Sequence, residues 1–318
     1  HYLQEAGVKD TYENAKTYMD ATIGDRVPEI LKETYLKRGP EMLRFFHDNT
    51  KHMRFKYATN YSDYYAHLPG GKPTGRSIEP EIIDMRLLKE WEGLILEPTL
   101  STKGFTMTGQ EFHKVNMIMR TIKGKATSLK LGTRMIKSKL TGARYASLGR
   151  ALMARMALSY KQAGGKFTVN AAFKNFIVEN NRVIGVLIES NGKQLRIKAN
   201  WGVILGAGGF SQNQEKRQQY LPQPTNKEWT SSPAGQTGDI IEPCKKLGAK
   251  FDLMEHVWGA PSVLDHHNKP FFLVADRAIP SMIIVDQNGN RYLNEAMPYH
   301  EFINNMYSHH EQTDGKAI

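Results

Sequence analysis

Cysteine is nearly absent from this chain of 318 residues, which contains only Cys244. A single thiol excludes an internal disulfide framework, and the sequence has no C-x-x-C or H-E-x-x-H spacing that would indicate a zinc site. We therefore predict no metal centre. A reducing compartment such as the cytoplasm fits this cysteine content best.

Long apolar runs are also missing. No stretch of roughly 18 or more apolar residues occurs, so we expect no membrane-spanning helix. The first ten residues, H-Y-L-Q-E-A-G-V-K-D, lack the basic start and the apolar core of a signal peptide. The chain begins without Met and stops at Lys316-Ala317-Ile318 with no closing element, which predicts that it was cut from a longer protein.

Acidic residues are absent from one long interval. Between Glu111 and Glu179 there is no Asp or Glu, whereas 14 Lys and Arg fall between Lys114 and Lys174, and the whole chain carries a net charge of +11. A basic stretch of this length attracts nucleic acid or an anionic membrane surface. It has no RNA-recognition aromatic signature, zinc-finger spacing or helix-turn-helix pattern, so we expect no nucleic-acid partner. A solvated basic face and a peripheral contact with a membrane surface both stay open.

The hydrophobic content of 40% is sufficient for one large domain or two medium ones. In the first half, Asp10 and Glu13 have capping-box spacing before a predicted helix. A second helix, E-I-L-K-E-T-Y-L-K, is predicted to end at Arg38-Gly39-Pro40, before a third in E-M-L-R-F-F-H. Between about Lys56 and Pro80 the sequence is dense in Gly, Pro and aromatics, which is typical of a functional loop.

A further helix starts near Ser147 and is predicted to end at Gly164-Gly165. Its large apolar residues recur at helical spacing and are predicted to face the core: Leu148, Leu152, Met156 and Tyr160. Three β-type runs follow, with turns at Asn180-Asn181 and Asn191-Gly192, and they predict a small β-meander.

After the meander, W-G-V-I-L-G-A-G-G-F (Trp201 to Phe210) is predicted to be a strand that runs into glycines, followed by a polar helix. Gly238-Asp239 then opens a helix that ends near Gly248. About the last sixty residues are predicted to return to β-structure, with S-M-I-I-V-D, a turn at Asn288-Gly289, and R-Y-L-N.

The glycines at the end of the predicted strand are the first indication of a ligand. Gly206-Ala207-Gly208-Gly209 lets the backbone approach a planar or phosphorylated ligand closely, because the glycines carry no Cβ. The run is not G-x-G-x-x-G, however, and a plain tight turn would use the same residues.

The order of these features resembles the FAD-dependent flavoproteins of the fumarate reductase and 3-ketosteroid dehydrogenase superfamily. The matching segments are V-I-L-G-A-G-G-F from Val203 and G-Q-T-G-D-I-I from Gly235. The resemblance implies an FAD cofactor, held by Ala207, Gly208, Gly209, Gly238 and Asp239. It also implies an α/β fold, in which residues 1–255 are an incomplete FAD-binding, Rossmann-like domain with helices, the meander and a parallel strand. Residues 256–318 would begin an α+β substrate or capping domain.

Three local matches favour the 3-ketosteroid dehydrogenases within that superfamily. The first is Y-S-D-Y-Y-A-H-L-P-G-G with G-R-S-I-E-P, and the second is D-L-M-E-H-V-W-G-A-P-S-V with V-A-D-R-A-I-P-S-M-I-I-V-D. The third and most specific is G-N-R-Y-L-N-E-A-M-P-Y, from Gly289 to Tyr299.

This resemblance implies catalytic tyrosines and a ketosteroid substrate. Tyr299 matches the base that removes a proton next to the ketone, and Tyr64, or else Tyr65, matches a hydrogen-bonding partner for it. A tyrosine titrates near pH 10 when unperturbed, so such a base needs a neighbour that favours the phenolate. A steroid is neutral and apolar, which suits aromatic walls and an uncharged base.

Asn294 and Glu295 are expected beside the flavin because they lie in the same motif. Arg291 and Glu295 have the spacing of an ion pair that would hold this loop, although a proton relay through Glu295 is the alternative.

The chain departs from the family pattern in two places. The G-x-G-x-x-G that holds the FAD pyrophosphate and the C-terminal return segment are both absent, so we expect the chain alone to bind FAD poorly and catalysis to belong to the parent protein. A reductase of a small unsaturated acid, such as fumarate or urocanate, is the enzymatic alternative. A non-enzymatic alternative is a module whose basic residues 112–178 dock on anionic lipid.

Overall fold

The computed structural model describes residues 2–59, 61–97, 105–273, 277 and 282–318. They belong to two compact units, an N-terminal unit (His1–Phe167) and a C-terminal unit (Thr168–Ile318), and each is described by itself. These units are defined by packing. The predicted functional boundary near Glu255 stays a prediction.

The N-terminal unit is mostly helical, with two short antiparallel strand pairs, β1 with β2 and β3 with β4. A 3₁₀ segment, Met85–Leu94, follows β3. The helices and strands are α1 (Tyr2–Glu5), α2 (Tyr12–Ile23), α3 (Glu29–Asn49), β1 (Phe55–Tyr57), β2 (Ile78–Pro80), β3 (Ile83–Asp84), α4 (Gly109–Val115), α5 (Ile122–Thr141), β4 (Tyr145–Ala146) and α6 (Leu148–Gln162).

The N-terminal cap of α2 is Thr11, so the predicted capping box at Asp10 and Glu13 was wrong by one position. The Thr11 hydroxyl accepts a hydrogen bond from the Asn14 backbone amide. Asp10 is engaged elsewhere, because its carboxylate accepts from Arg76 at 2.7 Å. The local spacing could not show this distant competitor for the carboxylate.

Helix α3 runs without interruption through Gly39 and Pro40, so the predicted end at Arg38-Gly39-Pro40 was wrong and two predicted helices are one. Pro40 cannot donate a backbone hydrogen bond to the Leu36 carbonyl. The steric penalty that proline imposes on its predecessor falls on a residue without a Cβ, Gly39, which relaxes that restriction.

The core of the N-terminal unit forms where α6 packs against β3, β4 and the 3₁₀ segment. The helix presents small residues to this core, and the predicted core stripe was wrong, since Leu148, Met156 and Tyr160 are exposed. Small side chains allow the helix axis to approach its neighbours closely, which turns the larger residues outward. The buried core residues are Ile83, Met85, Leu88, Ala146, Ala151, Ala154, Ala157 and Leu158.

The C-terminal unit combines a three-stranded sheet with short helices. Its elements are β5 (Ala171–Glu179), β6 (Arg182–Ser190), β7 (Lys193–Lys198), α7 (Gln214–Tyr220), α8 (Ile241–Lys246), β8 (Ser262–Leu264), β9 (Pro270–Phe272) and α9 (Tyr299–Gln312).

The predicted meander is confirmed, because β5, β6 and β7 pair in sequence order and antiparallel. Both turns use backbone angles that most residues avoid: φ is +48° and +61° at Asn180 and Asn181, and +51° and +72° at Asn191 and Gly192. Asn and Gly tolerate these angles, and for this reason the two turns could be predicted from the sequence.

The predicted parallel strand was wrong. Residues 201–210 form no strand, and every strand pair in the described ranges is antiparallel. Trp201 and Ile204 are 96% and 100% exposed. A strand requires a neighbour for its backbone hydrogen bonds, and no described residue pairs with this segment.

The end of the chain is less β-rich than predicted. Within 282–286 the predicted strand is reduced to an isolated bridge between Val285 and Arg291, and Ser281 lies outside the described residues. The turn between them is confirmed, with φ of +82° at Gly289. The sequence interpretation missed α9, which buries Phe302 and Ile303. No helix in the described ranges is long and apolar enough to cross a bilayer.

Candidate functional site

Tyr299 is the first residue of α9, and a buried arginine lies against its ring. The guanidinium carbon of Arg277 is 5.1 Å from the centre of the Tyr299 ring and 5.4 Å from that of Phe302. Arg277 also donates to the backbone carbonyls of Met297, at 2.8 Å, and Glu295. One side chain therefore holds the backbone that leads into α9 and places positive charge beside the phenol ring.

Arg277 was not among the residues expected at the site. It lies in V-A-D-R-A-I-P-S-M-I-I-V-D, of which residues 274–276 and 278–281 are outside the described ranges. The signal in the sequence was the charged pair Asp276-Arg277 inside an otherwise apolar run, a position where a charged side chain is buried only with partners.

Replacing Arg277 with Met is expected to destabilise the C-terminal unit by about 1–3 kcal/mol, because the buried Glu295 carbonyl and the partly buried Met297 carbonyl lose a charged donor at nearly constant side-chain volume. Thermal unfolding monitored by circular dichroism would measure the change. The matched control is Arg196→Met on the exposed strand β7, for which we expect a change within about 0.5 kcal/mol. Identical melting of the two variants would contradict the clamping role of Arg277.

The loop before Tyr299 is fixed by the ion pair between Arg291 and Glu295. The Arg291 Nε and Nη2 atoms donate to the two oxygens of the Glu295 carboxylate at 3.0 and 2.7 Å. The Ile284 backbone amide also donates to this carboxylate, at 3.0 Å. Arg291, and after it the Ile284 amide, lower the pKa of Glu295 to about 2. The expected ion pair is present, and it occupies both oxygens of the buried Glu295.

Asn294 is exposed, and its side-chain oxygen accepts from the Ala296 backbone amide at 3.0 Å. This contact shapes the turn before α9. A role of Asn294 and Glu295 beside the flavin stays a prediction.

A second carboxylate ties the turn at 286–290 to α9. Asp286 accepts from the backbone amides of Asn288 and Asn290, both at 2.9 Å, and forms a 3.0 Å contact with His309 Nε2. The Asn290 amide, followed by His309, lowers the pKa of Asp286 to about 2. The Tyr292 ring stacks on His309 with 4.2 Å between ring centres.

Acid should weaken the interactions of the Asp286 and Glu295 carboxylates. The pKa values of Asp286 and Glu295 in the folded chain lie below ordinary carboxyl values near 4, so their stabilisation is complete above about pH 5 and is lost as the pH falls towards about 2. Melting temperatures measured between about pH 6 and about pH 3 should fall less steeply for Asp286→Asn than for the wild type, because Asn cannot take up a proton. An equal dependence of melting temperature on pH in the variant and the wild type would contradict a contribution of Asp286 to acid unfolding.

The segment that contains Gly206-Ala207-Gly208-Gly209 and continues to Asn213 lies alongside residues 235–239. The Gln212 backbone amide donates to the Gln236 carbonyl at 2.9 Å, and the Asn213 side chain donates to the Thr237 carbonyl at 3.1 Å. Gly238 is buried with φ of +68°, and a Cβ there would lie 2.8 Å from that of Phe210. The junction therefore requires glycine at this position.

Ala207, Gly208 and Gly209 are exposed on this segment, and φ is +72° at Gly208. A Cβ added at Gly209 would meet no atom within 4 Å, so the space beside the backbone is open.

A cavity of about 610 Å³ lies between this segment and the meander. It brings together two of the residues predicted to bind the cofactor, Ala207 and Asp239. The other predicted cofactor residues do not line it: Gly208, Gly209, Gly238, Asn294 and Glu295. The lining residues are Asn170, Ala171, Ala172, Phe173, Glu189, Asn191, Ala207, Gly235, Thr237, Asp239 and Ile240.

Tyr64 and Tyr65 lie on a loop of the N-terminal unit, residues 61–76. Burial, with a smaller contribution from Tyr61, raises the pKa of Tyr64, although its side chain is still partly exposed to solvent. The Tyr65 backbone amide donates to the Tyr18 hydroxyl at 3.1 Å. Tyr299 belongs to the C-terminal unit, and its pairing with either tyrosine stays a prediction.

Arg76 holds this loop closed. Its guanidinium donates to Asp10 at 2.7 Å, to the Gly70 carbonyl at 2.8 Å and to Asp63. Asp63 in turn accepts from the Lys72 backbone amide at 3.0 Å. The two tyrosines are thus carried by a loop with its own hydrogen-bond network.

Comparison with known proteins identifies the family. The model of the FAD binding domain matches residues 1–318. The chain belongs to the FAD binding domain family. FAD, the cofactor expected from the sequence, is confirmed for the family.

The relatives of this FAD binding domain include named steroid dehydrogenases. The chain is 39% identical over 315 residues to 3-oxosteroid 1-dehydrogenase of Mycolicibacterium smegmatis, covering 96% of the chain and 54% of that protein. The corresponding protein of Mycobacterium tuberculosis (strain H37Rv) is 38% identical over 314 residues, covering 96% and 55%. The chain therefore spans about half the length of the curated relatives it matches.

A solved structure is similar in sequence and fold. The 3-ketosteroid delta1-dehydrogenase from Sterolibacterium denitrificans, in complex with 1,4-androstadiene-3,17-dione, aligns with a TM-score of 0.89 and 33% identity. The alignment covers 98% of this FAD binding domain chain and 57% of that one. The expected similarity to 3-ketosteroid dehydrogenases and the α/β fold class are confirmed.

The residues around the cavity fit a dinucleotide cofactor. The backbone at Gly209 is exposed, and a Cβ there would meet no atom within 4 Å, so a ligand can approach this backbone closely. Asp239 adds a carboxylate acceptor to the lining, which suits the hydroxyl groups of a ribose or ribityl chain.

Proposed function

We propose that the full-length protein is an FAD-dependent 3-ketosteroid dehydrogenase that introduces a carbon–carbon double bond next to the ketone. The observation that carries the proposal is Tyr299 at the start of α9, with the buried guanidinium of Arg277 against its ring. It occurs in a chain 39% identical to a 3-oxosteroid 1-dehydrogenase. This similarity supports the Δ1 position for the new bond rather than Δ4.

Tyr299 acts as the base that removes a proton from the carbon next to the ketone. The positive charge of Arg277 favours negative charge on the ring, and this is the kind of neighbour that a tyrosine base requires. Tyr64, or else Tyr65, donates a hydrogen bond that stabilises the deprotonated Tyr299. FAD supplies the acceptor for the hydride that leaves the adjacent carbon.

The cofactor is held by the residues around the cavity. Ala207 and Asp239 line the cavity, and the neighbouring residues Gly208, Gly209 and Gly238 complete the backbone that the flavin approaches. Asn294 and Glu295 lie in the motif that ends at Tyr299 and position that loop beside the flavin.

The proposed substrate is a neutral, apolar ketosteroid. A tyrosine base suits such a molecule because it adds no permanent charge to an apolar pocket. A steroid also partitions into lipid, so a peripheral contact of the full-length protein with a membrane surface belongs to the same proposal.

Substrate oxidation by the full-length protein tests the proposal. With an artificial electron acceptor, androstenedione should be oxidised. Supplied with a reduced electron donor instead, the same preparation should not reduce fumarate or urocanate. Reduction of either acid without steroid oxidation would support the reductase alternative and overturn the proposal.

A further inference from the structure

Helix α5 (Ile122–Thr141) has an apolar stripe on the side opposite its buried face. The buried face contains Gly124 and Leu131. The stripe side chains are between 55% and 86% exposed, and their spacing places them within about 40° of one another around the helix axis. The α5 stripe consists of Ile122, Leu129, Ile136 and Leu140.

Lysines line both sides of the α5 stripe. At 100° per residue, Lys125 and Lys139 lie to one side and Lys123, Lys130 and Lys137 to the other. No acidic residue occurs from residue 112 to residue 178.

Most of these lysines keep their charge available. The ion pairs of α5 recorded within the described ranges join Glu111 to Arg134, at 2.8 Å, and to Lys130, at 3.1 Å. The helix therefore presents a band of apolar side chains between two rows of positive charge.

Apolar exposure alone does not single out α5. Helix α3 has a comparable apolar row, between 51% and 71% exposed, but its neighbouring charges have both signs and pair with each other. These pairs are Lys37 with Glu33 and Arg38 with Glu41. The α3 row consists of Leu31, Tyr35, Met42 and Phe45. Of these two rows, only the α5 stripe combines apolar exposure with charge of one sign.

We propose that α5 is the surface by which the full-length protein docks on an anionic lipid bilayer. The helix lies in the plane of the interface, the α5 stripe enters the boundary between headgroups and acyl chains, and the lysines extend to the lipid phosphates. A nucleic acid is a poorer match, because α5 has no aromatic side chain for stacking bases and places apolar residues between its charges. The docking rests on the proposed function, which includes a peripheral contact with a membrane, and α5 with anionic lipid would provide that contact. The structural observations that support it come from the N-terminal unit alone.

Co-sedimentation of the full-length protein with vesicles tests the docking. Vesicles with about one third anionic lipid should bind the wild type, and vesicles of zwitterionic lipid alone should bind it far more weakly. One lysine near an anionic surface contributes about fivefold in affinity, so the variant with Gln at positions 123, 125, 137 and 139 should lose at least about a hundredfold. Added salt should release the wild type.

A second pair of variants tests the α5 stripe. Leu129→Gln with Ile136→Gln should lower vesicle binding at least about tenfold and leave the melting temperature unchanged, because these side chains face solvent. The matched control, Leu31→Gln with Phe45→Gln on α3, should bind vesicles as the wild type does.

Four outcomes would overturn the proposal: equal binding to zwitterionic vesicles, loss of binding only in the α3 control, tighter binding to duplex DNA than to vesicles, or a melting temperature lowered by the α5 substitutions. The last would show that another part of the protein, or a second copy, covers the stripe. Oxidation of a detergent-dispersed steroid should be the same in all variants, so failure of the docking and failure of the proposed reaction are distinguishable.

Discussion

Replacing Tyr299 with Phe in the full-length protein is expected to lower steroid oxidation by roughly 10²–10⁴-fold while FAD stays bound. The magnitude follows from the loss of a general base, since Phe keeps the ring against Arg277 but cannot accept a proton. Binding of substrate should change little, because the two side chains have nearly the same shape.

Steady-state rates with androstenedione, together with the flavin absorbance of the purified protein, would measure both parts of this expectation. Tyr35→Phe on the exposed face of α3 is the matched control and should leave the rate unchanged. Tyr64→Phe and Tyr65→Phe should each be slower than wild type, with the larger loss at the residue that partners Tyr299. Turnover at the wild-type rate by Tyr299→Phe would contradict the assignment of Tyr299 as the base.

Replacing Gly75 with Ala is expected to destabilise the N-terminal unit by about 3 kcal/mol and to disturb the loop that carries Tyr64. The backbone at Gly75 has φ of +71°, and a Cβ there would lie 1.6 Å from the Tyr61 carbonyl oxygen. Both the strained backbone angle and the overlap oppose any larger residue, so the loop must move to accept one.

Thermal unfolding would measure the loss of stability. Gly132→Ala in α5 makes the same chemical change where a Cβ meets no atom within 4 Å, and it should stabilise the helix by roughly 0.5–1 kcal/mol. In the full-length protein, Gly75→Ala should also reduce steroid oxidation if Tyr64 or Tyr65 assists Tyr299. Equal melting temperatures for Gly75→Ala and the wild type would contradict the steric argument.

The sequence predicted best those elements whose cause is local. The meander turns at Asn180-Asn181 and Asn191-Gly192 could be predicted because their positive φ angles require Asn or Gly at those positions. Helix α8 could be predicted because Gly248, with φ of +82°, ends it.

Elements that depend on distant partners were predicted poorly. Whether residues 201–210 form a strand depends on a neighbour, which the local pattern of V-I-L cannot supply. Asp10 was expected to cap a helix, yet Arg76, 66 residues away, binds its carboxylate. Gly39-Pro40 was read as a helix end, although the helix continues through it, because Gly39 has no Cβ for the proline ring to crowd.

In the candidate site, too, local features were predicted and contacts between distant residues were not. Arg291 and Glu295 are four residues apart, and their ion pair was foreseen from that spacing. The contact between Arg277 and Tyr299 joins residues 22 positions apart through the unforeseen start of α9, so no local pattern indicated it.

The exposed segment around Trp201 and Ile204 is expected to promote self-association when this chain is isolated. This segment is exposed, uncharged and rich in residues that favour β-strands. Its backbone groups can pair with a second molecule, and segments of this kind promote aggregation. Trp201 reports on the same process, because an indole that leaves water shifts its fluorescence to shorter wavelength. A blue shift that grows with protein concentration would mark self-association through this segment, and a charged residue in place of Ile204 is the natural remedy.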